Sequence, residues 1–208
     1  MTDLVLYTNP QSRGRMAHWM MEELGVPYET VWLDFGTSMK SADYLAVNPM
    51  GKVPAIRHGE AVVTETPAIC AYLADVFPEK KLAPPPGSLA RAAYYRWMFF
   101  AAGPLEMAAT SRIFNWQVPE GKSIAAGFGS YADTMAALEK AVEAGPYLCG
   151  EQFTAADVYF GSAVGWGMMF GSVEKRPVLE AYFGRLTARP AFQSAQRIND
   201  ERIKAQKA

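Results

Sequence analysis

Three polar side chains lie near the N terminus, at the end of the compact apolar run Leu4 to Tyr7, which predicts a β-strand. They are Tyr7, Asn9 and Ser12. Each side chain carries a hydrogen-bond donor, and a donor that is fixed in position can stabilise an anion. Ser12 also precedes a helical pattern, where a serine usually caps the helix. The residue types therefore leave capping and anion binding open for Ser12.

A second candidate binding site starts at Glu65. Thr66 and Pro67 predict the start of a helix, because threonine is a good N-cap and proline suits the first helical position. The N terminus of a helix offers unpaired N–H groups and the positive end of the helix dipole, which together attract a carboxylate. Thr66 is therefore expected either to cap this helix or to bind a carboxylate with its N–H and hydroxyl groups.

The histidines and cysteines do not form a reactive group in the sequence. His18 and His58 have no partners at the spacing of a metal site or a catalytic triad, and Cys70 and Cys149 are far apart in unrelated contexts. This pattern excludes a disulfide framework and a CxxC redox pair. We therefore expect no metal, and two isolated thiols suit a reducing cytoplasm.

Composition restricts the possible partners. The formal net charge is −1 at pH 7, without a basic cluster, so the chain has no general attraction to nucleic acid or anionic lipid. The stretch Val158 to Val173 is apolar but broken by glycines, and it is too short to span a bilayer. The start, Met1 to Leu4, lacks the basic and apolar regions of a signal peptide. These features predict a cytoplasmic protein without nucleic-acid or membrane partners.

The order of predicted elements divides the chain in two. Residues 1–77 alternate short strands and helices in the order βαβαββα, with a hairpin turn at His58 to Glu60. Residues 78–87 contain three consecutive prolines and form a linker. Residues 88–208 are nearly all helical, beginning with a long helix from Ser88 to Ala109, and the charged tail from Asn199 is expected to fray.

This organisation resembles a known family. A βαβαββα unit with a proline at the start of its third strand resembles the thioredoxin fold. With an all-helical domain after a proline-rich linker, the whole chain resembles a cytosolic glutathione transferase, and in particular the bacterial, serine-type, theta-like members. Three motifs carry the resemblance, namely Asn48 to Pro54 (NPMGKVP, against the family's NPxGKVP), Glu65-Thr66, and Pro146 to Asp157, which is similar to the signature of the family's C-terminal domain. The last motif has a structural role, because its capping box sets the start of a core helix.

The resemblance implies how glutathione, as co-substrate, would be held. The Val53–Pro54 bond would be cis, and the backbone of Val53 would pair with the cysteinyl part of the ligand. Thr66, which replaces the serine usual in the family, would bind the γ-glutamyl carboxylate, and Glu65 would face the α-amino group. Two lysines could meet the glycyl carboxylate, Lys52 as the first candidate and Lys40 as the second.

The implied reaction needs a thiolate. A free thiol with a pKa of about 8.5 is only a few per cent ionised at pH 7, and lowering that pKa by about two units makes the thiolate the main species. Five residues, Thr8 to Ser12, separate Tyr7 from Arg13, and this long connection matches the serine-type classes. Ser12 is therefore the first candidate for the donor, with Tyr7 and Asn9 as alternatives. No cysteine stands here, which excludes the cysteine-type classes.

The resemblance further implies a homodimeric detoxification enzyme that conjugates glutathione to hydrophobic electrophiles. Dimerisation is also suggested by the apolar run Trp97 to Phe100, which is too hydrophobic to be exposed in a monomer. Met107, Phe114 and Trp166 are candidates to line the electrophile pocket, although residues of this kind more often belong to the core.

Alternative functions of the same fold are a glutathione-dependent isomerase of the maleylacetoacetate type, a peroxidase, and a non-catalytic glutathione-binding module. The Ser-Ser-Cys motif typical of the isomerase is absent after the first strand. Appended binding modules often lose the glutathione motifs, whereas Glu65-Thr66 and Val53-Pro54 are intact.

Overall fold

The computed structural model of the chain describes residues 3–143 and 145–207. These residues group into two compact units. The first contains the chain up to Lys80 together with the segment from Ala188 onwards, and the second runs from Lys81 to Thr187. The sequence predicted a first domain of residues 1–77 and a second domain of residues 88–208. The grouping differs from this prediction chiefly at the C terminus, because the last helix packs in the first unit.

The first unit is built on a four-stranded mixed sheet with the strand order β2-β1-β3-β4. Its elements up to residue 76 follow the predicted order βαβαββα. They are β1 (Leu4–Thr8), α1 (Gly14–Leu24), β2 (Glu29–Trp32), α2 (Ala42–Val47), β3 (Ala55–His58), β4 (Ala61–Thr64) and α3 (Thr66–Val76).

The register of the sheet brings three chain segments to one end. β1 runs parallel to β2 and antiparallel to β3, and Tyr7 pairs with Ala55. β4 runs antiparallel to β3, and Ala55 pairs with Thr64. The residues that follow β1, precede β3 and follow β4 therefore share one end of the sheet. These are the three segments in which the sequence predicted binding residues.

The second unit is helical, and one further helix completes the first unit. The helices of the second unit are α4 (Leu89–Phe100), α5 (Glu106–Phe114), α6 (Tyr131–Glu143), α7 (Ala155–Phe170) and α8 (Pro177–Thr187). The additional helix of the first unit is α9 (Pro190–Lys207). The predicted helix from Ser88 continues five residues beyond Ala109. It includes a π-helical turn at Ala101–Leu105, which holds Pro104. A π turn suits a proline, because proline has no N–H for the regular helix pattern.

Helix α9 is fastened to α1 by charged side chains. Arg189 donates two hydrogen bonds of 2.7 Å to the carboxylate of Glu23. Arg15 pairs with Asp200 at 2.6 Å. The prediction that the tail frays from Asn199 is therefore wrong, since α9 continues through this residue and buries it.

The signature segment of the second unit is organised by one buried carboxylate. Asp157 accepts hydrogen bonds from the N–H of Leu148 and the hydroxyl of Tyr182, each at 2.9 Å. Its other oxygen accepts from the N–H and hydroxyl of Thr154 at 2.9 and 3.0 Å. Burial raises the pKa of this carboxyl, whereas the hydrogen bonds lower it. The predicted capping box at the start of α7 is confirmed.

Close packing of α7 against α8 depends on small residues. A Cβ on Gly165 would lie 2.2 Å from the ring of Phe183, and one on Gly161 would lie 2.1 Å from the side chain of Leu186. The glycines in this apolar helix thus allow close contact with α8, as predicted. Across the described ranges, no helix combines the length and apolar character needed to cross a membrane.

Candidate active site

Ser12 lies in the turn between β1 and α1, where it makes two hydrogen bonds. Its hydroxyl donates to the carbonyl of Asn9 at 2.8 Å, and its Oγ accepts from the N–H of Gly14 at 2.9 Å. Ser12 is partly exposed, and α1 begins two residues later. The hydroxyl thus pairs with the first N–H of the helix and lies near the positive end of its dipole.

The other two donor candidates are held by structural contacts. The amide nitrogen of Asn9 donates to the carbonyl of Leu33 at 2.7 Å, and its amide oxygen accepts from the N–H of Gln11 at 2.9 Å. Asn9 is buried, and its contacts join β1 to the segment after β2. Tyr7 packs in a small core cluster, where its ring lies 5.7 Å from that of Tyr44.

The turn before α1 is shaped by two residues that the sequence reasoning missed. Thr8 is completely buried, and its hydroxyl has no hydrogen-bond partner in the described part of the chain. A Cβ on Gly14 would lie 1.9 Å from this hydroxyl and 3.0 Å from Ser12 Oγ. Position 14 must therefore be glycine for the helix to start this close to β1. A sequence offers no local signal for such a contact.

The loop Asn48 to Pro54 is fixed through one carbonyl. The carbonyl of Lys52 accepts hydrogen bonds from the phenol of Tyr44 at 2.6 Å and from the amide of Asn48 at 2.8 Å. Burial raises the pKa of Tyr44 to about 12, so its phenol stays protonated and donates at neutral pH. Gly51 has a positive φ of 57°, and a Cβ there would lie 2.7 Å from the carbonyl oxygen of Met39. Tyr44 has no sequence signature, so its role was missed.

The bond between Val53 and Pro54 is cis, as the resemblance implied. The described ladder between β1 and β3 ends at Ala55, so Val53 lies beyond the paired part of the sheet. Its backbone N–H and carbonyl are not used by the ladder. An extended ligand can therefore pair with this residue in the manner of an added strand.

The start of α3 differs from the predicted cap. Glu65 is the N-cap, with φ 65° and ψ 118°, and Thr66 is the first helical residue. Thr66 is buried, and its hydroxyl has no hydrogen-bond partner within the described ranges. Glu65 is exposed and has a left-handed φ, which is uncommon for a non-glycine residue and is often found at functional sites.

The two predicted lysines are both on the surface. Lys40 Nζ donates to the carbonyl of Met50 at 2.9 Å, which places its ammonium group against the Asn48 to Pro54 loop. The side chain of Lys52 is exposed. An ammonium group has three donors, so Lys40 keeps two for another acceptor.

The predicted electrophile residues all lie in the second unit. Met107 and Phe114 are exposed and lie seven residues apart on α5, which places them on the same face. Phe114 stacks on Trp116 with a centroid distance of 5.3 Å. Trp166 lies on α7, where it contacts Phe170 edge to face at 5.9 Å.

Among the described residues, the thiols of Cys70 and Cys149 and the imidazole of His18 are not placed for catalysis or metal binding. Burial raises the pKa of Cys70 to about 12, and burial raises that of Cys149 to about 11, so both thiols are protonated at neutral pH. Burial also lowers the pKa of His18, which lies in the interface of α1 and α9. In the part of the chain that the structure describes, no three residues of the types His, Cys, Asp and Glu are placed to hold a metal ion.

A small mixed sheet with a cis-proline before β3, followed by a helical second unit, defines a protein of the thioredoxin-like, two-domain transferase class. The chain matches the family descriptions "Glutathione S-transferase, N-terminal domain" over residues 12–76 and "Glutathione S-transferase, C-terminal domain" over residues 104–190. Glutathione S-transferase 3 of Zea mays is 30% identical over 207 residues, with 93% of each chain covered. Glutathione S-transferase GstA of Escherichia coli O157:H7 is 29% identical, with 91% of this chain and 96% of that protein covered.

Solved structures agree with this assignment. A glutathione transferase from Methylococcus capsulatus str. Bath has a TM-score of 0.78 and 32% identity, covering 95% of this chain and 98% of that one. A sphingomonad glutathione S-transferase complexed with glutathione has a TM-score of 0.76 and 29% identity, covering 94% and 98%. The chain belongs to the glutathione S-transferase family and is a glutathione transferase.

Proposed function

We propose that this enzyme binds glutathione at the end of the sheet where β1 and β4 finish and β3 begins, ionises the glutathione thiol with Ser12, and conjugates the thiolate to hydrophobic electrophiles. The observation that carries the proposal is the convergence of three segments at this end. The register pairs Tyr7 with Ala55 and Ala55 with Thr64, so these three residues mark one end of the sheet. The chain continues from this end to Ser12 and to Thr66, and it enters this end through Val53.

The peptide part of the ligand matches the groups available. Val53 offers to the cysteinyl residue a backbone N–H and carbonyl that the ladder between β1 and β3 does not use, as a strand edge does. Thr66 offers the first N–H of α3, a hydroxyl with no partner among the described residues, and the positive end of the helix dipole, all of which suit the γ-glutamyl carboxylate. The exposed carboxylate of Glu65 complements the α-ammonium group of the same γ-glutamyl residue.

Lys40 is the preferred partner of the glycyl carboxylate, ahead of Lys52. Its ammonium group is held by the carbonyl of Met50, close to the loop that carries Val53. Lys52 is exposed, and its ammonium group has no hydrogen-bond partner among the described residues. Lys40 is therefore the lysine that a hydrogen bond holds beside this loop.

Ionisation of the thiol needs only a modest stabilisation. Lowering a thiol pKa by two units corresponds to about 2.7 kcal/mol. One hydrogen bond from a hydroxyl to an anion, together with the positive end of a helix dipole, supplies free energy of this order. Ser12 can provide both, because rotation of its hydroxyl moves the proton from the carbonyl of Asn9 to the sulfur while Oγ still accepts from Gly14. Asn9 is buried, and its amide nitrogen already donates one of its two N–H groups to Leu33, so it is the less accessible donor.

The test has two parts. Retention on glutathione agarose, followed by elution with free glutathione, measures binding. Turnover of glutathione with aryl halides, epoxides, isothiocyanates and hydroperoxides measures the reaction and identifies the electrophile class. We expect retention and conjugation. Retention without any turnover would instead favour a binding module, and turnover of hydroperoxides alone would favour a peroxidase.

A further inference from the structure

The phenol of Tyr44 links helix α2 to the loop that carries Val53. Its hydroxyl donates a hydrogen bond of 2.6 Å to the carbonyl of Lys52, the residue before Val53. Burial raises the pKa of Tyr44 to about 12. The phenol therefore remains a donor over the whole pH range in which a thiol titrates.

The direction of this carbonyl determines the direction of a neighbouring N–H group. The Lys52 carbonyl and the Val53 N–H belong to the same peptide group, which is trans. A trans peptide group is planar, and its carbonyl and N–H point in opposite directions. The hydrogen bond from Tyr44 therefore holds the Val53 N–H pointing away from the phenol.

The Lys52 carbonyl has a second donor, which differs from Tyr44 in its place in the chain. The amide nitrogen of Asn48 donates to this carbonyl at 2.8 Å, and the amide oxygen of Asn48 accepts from the N–H of Met50 at 3.0 Å. Asn48 thus belongs to the loop that it restrains, whereas Tyr44 belongs to α2. The bond from Tyr44 is the one that ties this peptide group to a helix outside the loop.

Tyr44 is itself held by its backbone and by its ring. Its N–H donates to Ser41 Oγ at 3.3 Å, and its carbonyl accepts from the N–H of Asn48 at 2.8 Å. The side chain is 3% exposed, and its ring lies 5.7 Å from the ring of Tyr7. Tyr7 is on β1, the strand that leads to Ser12. One buried ring therefore contacts both the strand before Ser12 and the loop that holds Val53.

The placement of Val53 matters for the chemistry because of the part of glutathione that it meets. In the proposed function, the backbone of Val53 pairs with the cysteinyl residue, which carries the reacting sulfur. A change in the direction of the Val53 N–H moves the cysteinyl residue and therefore shifts the sulfur relative to Ser12 Oγ. Hydrogen bonds weaken steeply as their geometry departs from the ideal, so the stabilisation of the thiolate depends on this placement.

We propose that Tyr44 is a positioning residue of the reaction, whose hydroxyl acts through the Lys52 carbonyl to direct the Val53 N–H at the cysteinyl residue and so places the glutathione sulfur beside Ser12. This inference rests on the proposed function. It differs from a purely structural role in one measurable respect. Loss of the hydroxyl must alter the ionisation of the bound thiol, and not only the stability of the fold.

The test substitution is Tyr44→Phe, which removes the hydroxyl and keeps the buried ring. The first measurement is isothermal titration calorimetry with γ-glutamyl-2-aminobutyryl-glycine, the analogue of glutathione that has a methyl group in place of the thiol. This probe reports the backbone contact without any contribution from thiol ionisation. We expect Tyr44→Phe to weaken its binding about threefold to tenfold, as for the loss of one hydrogen bond.

The second measurement is thiolate absorbance of the enzyme–glutathione complex, titrated with pH. Tyr44→Phe should raise the titration midpoint, raise the KM for glutathione, and lower kcat near neutral pH about threefold, with recovery as the pH rises. In a Ser12→Ala background the thiolate donor is already absent, so Tyr44→Phe should raise the midpoint less than it does in the wild type. Equal rises in the two backgrounds would overturn the proposal.

The matched control is Tyr28→Phe. The hydroxyl of Tyr28 also donates at 2.6 Å, to Glu22, and Tyr28 precedes β2 at the other end of the sheet, where Val5 pairs with Glu29. This variant should leave the affinity for the analogue and the titration midpoint unchanged. Thermal unfolding of both variants measures stability separately.

The outcomes separate this inference from the proposed function. A Tyr44→Phe enzyme with a lower Tm but with wild-type affinity and midpoint would overturn the inference alone and leave Tyr44 a structural role. A wild type that binds neither glutathione nor the analogue would overturn the proposed function together with this inference.

Discussion

The hydroxyl of Ser12 carries one proton, and its present acceptor is the carbonyl of Asn9. This arrangement keeps the group oriented near the N terminus of α1 and available for a stronger acceptor. A thiolate is such an acceptor, because hydrogen bonds to ions are about twice as strong as those between neutral groups. At the residue scale, the proposed mechanism therefore depends on whether this one proton changes partner when glutathione binds.

Ser12→Ala tests that change of partner. We expect the variant to bind glutathione with nearly unchanged affinity, to raise the pKa of the bound thiol, and to lower kcat near neutral pH about tenfold to a hundredfold. The rate should recover as the pH rises, since hydroxide then generates the thiolate. The measurement is thiolate absorbance of the enzyme–glutathione complex, titrated for both proteins.

Tyr7→Phe is the matched control, because it also removes one hydroxyl at the end of β1. It should titrate like the wild type. Equal titration midpoints for wild type and Ser12→Ala would remove Ser12 from the proposed role, and the variant with a raised midpoint among Tyr7→Phe and Asn9→Ala would then identify the donor.

Glu65 tests the binding part of the site. The γ-glutamyl end of glutathione is remote from the sulfur, so contacts to it contribute equally to the ground and transition states. Glu65→Ala should therefore raise the KM for glutathione about tenfold with kcat nearly unchanged. Glu60→Ala removes an exposed acid from the nearby hairpin turn and should alter neither constant. A fall in kcat at unchanged KM for Glu65→Ala would contradict the assignment.

At the element scale, the contact between α1 and α9 contains a buried histidine. The ring nitrogen Nδ1 of His18 lies 3.1 Å from the amide nitrogen of Asn199, and this nitrogen also donates to the carbonyl of Ala195. His18 therefore accepts at Nδ1 and carries its proton at Nε2, which has no partner within the described ranges. The charged groups that act on the His18 ring are Glu22 and Arg15.

This geometry predicts a loss of stability in acid. Burial lowers the pKa of His18 below its ordinary value of 6.5. As the pH falls through about 6.5, the unfolded chain takes up a proton that the folded chain refuses, so the free energy of unfolding decreases until the folded pKa is passed. Thermal unfolding of wild type and His18→Gln between pH 7.5 and 5 measures the effect. The Tm of the wild type should fall more steeply, and parallel curves would show that His18 does not titrate in this range.

At the scale of the whole molecule, α4 leaves an apolar face uncovered. The sequence argument for a dimer rested on the run Trp97 to Phe100, but Trp97 and Met98 are buried within the chain itself. The exposed side chains are instead Leu89 (94%), Tyr95 (46%) and Phe99 (72%). Tyr95 and Phe99 lie four residues apart and so share one face of α4, and exposed large apolar side chains that lie together are typical of an interaction surface.

We expect a homodimer, with twice the chain mass of 22.9 kDa by light scattering at micromolar concentration. Phe99→Asp should shift the mass towards that of the monomer, because it would bury a charge in the interface. Met169→Asp is the matched control, since Met169 is exposed to the same degree on another helix and should not affect the mass. A monomer mass for the wild type would contradict the prediction.

Much of the architecture follows from local features that a sequence displays directly. The apolar run of β1, the hairpin turn after His58 and the capping box at Thr154 depend on residues close in the chain, and the order βαβαββα was predicted correctly from them. The cis bond before Pro54 was also expected, but only through the resemblance of the surrounding motif. Such features are readable because each is decided within a few residues.

Tertiary structure decided what depends on partners far away in the chain. The amide nitrogen of Asn9 donates to the carbonyl of Leu33, 24 residues later, and this side chain is buried, whereas Ser12 is partly exposed. The charged segment after Asn199 looked unfit to fold, yet Arg15 pairs with Asp200 across 185 residues and holds it on α1. The sequence by itself determined the order of elements in residues 1–77 and the candidate residues. Only the packed chain decided which polar groups are already satisfied, because each such group depends on a partner that folding, not sequence proximity, brings near.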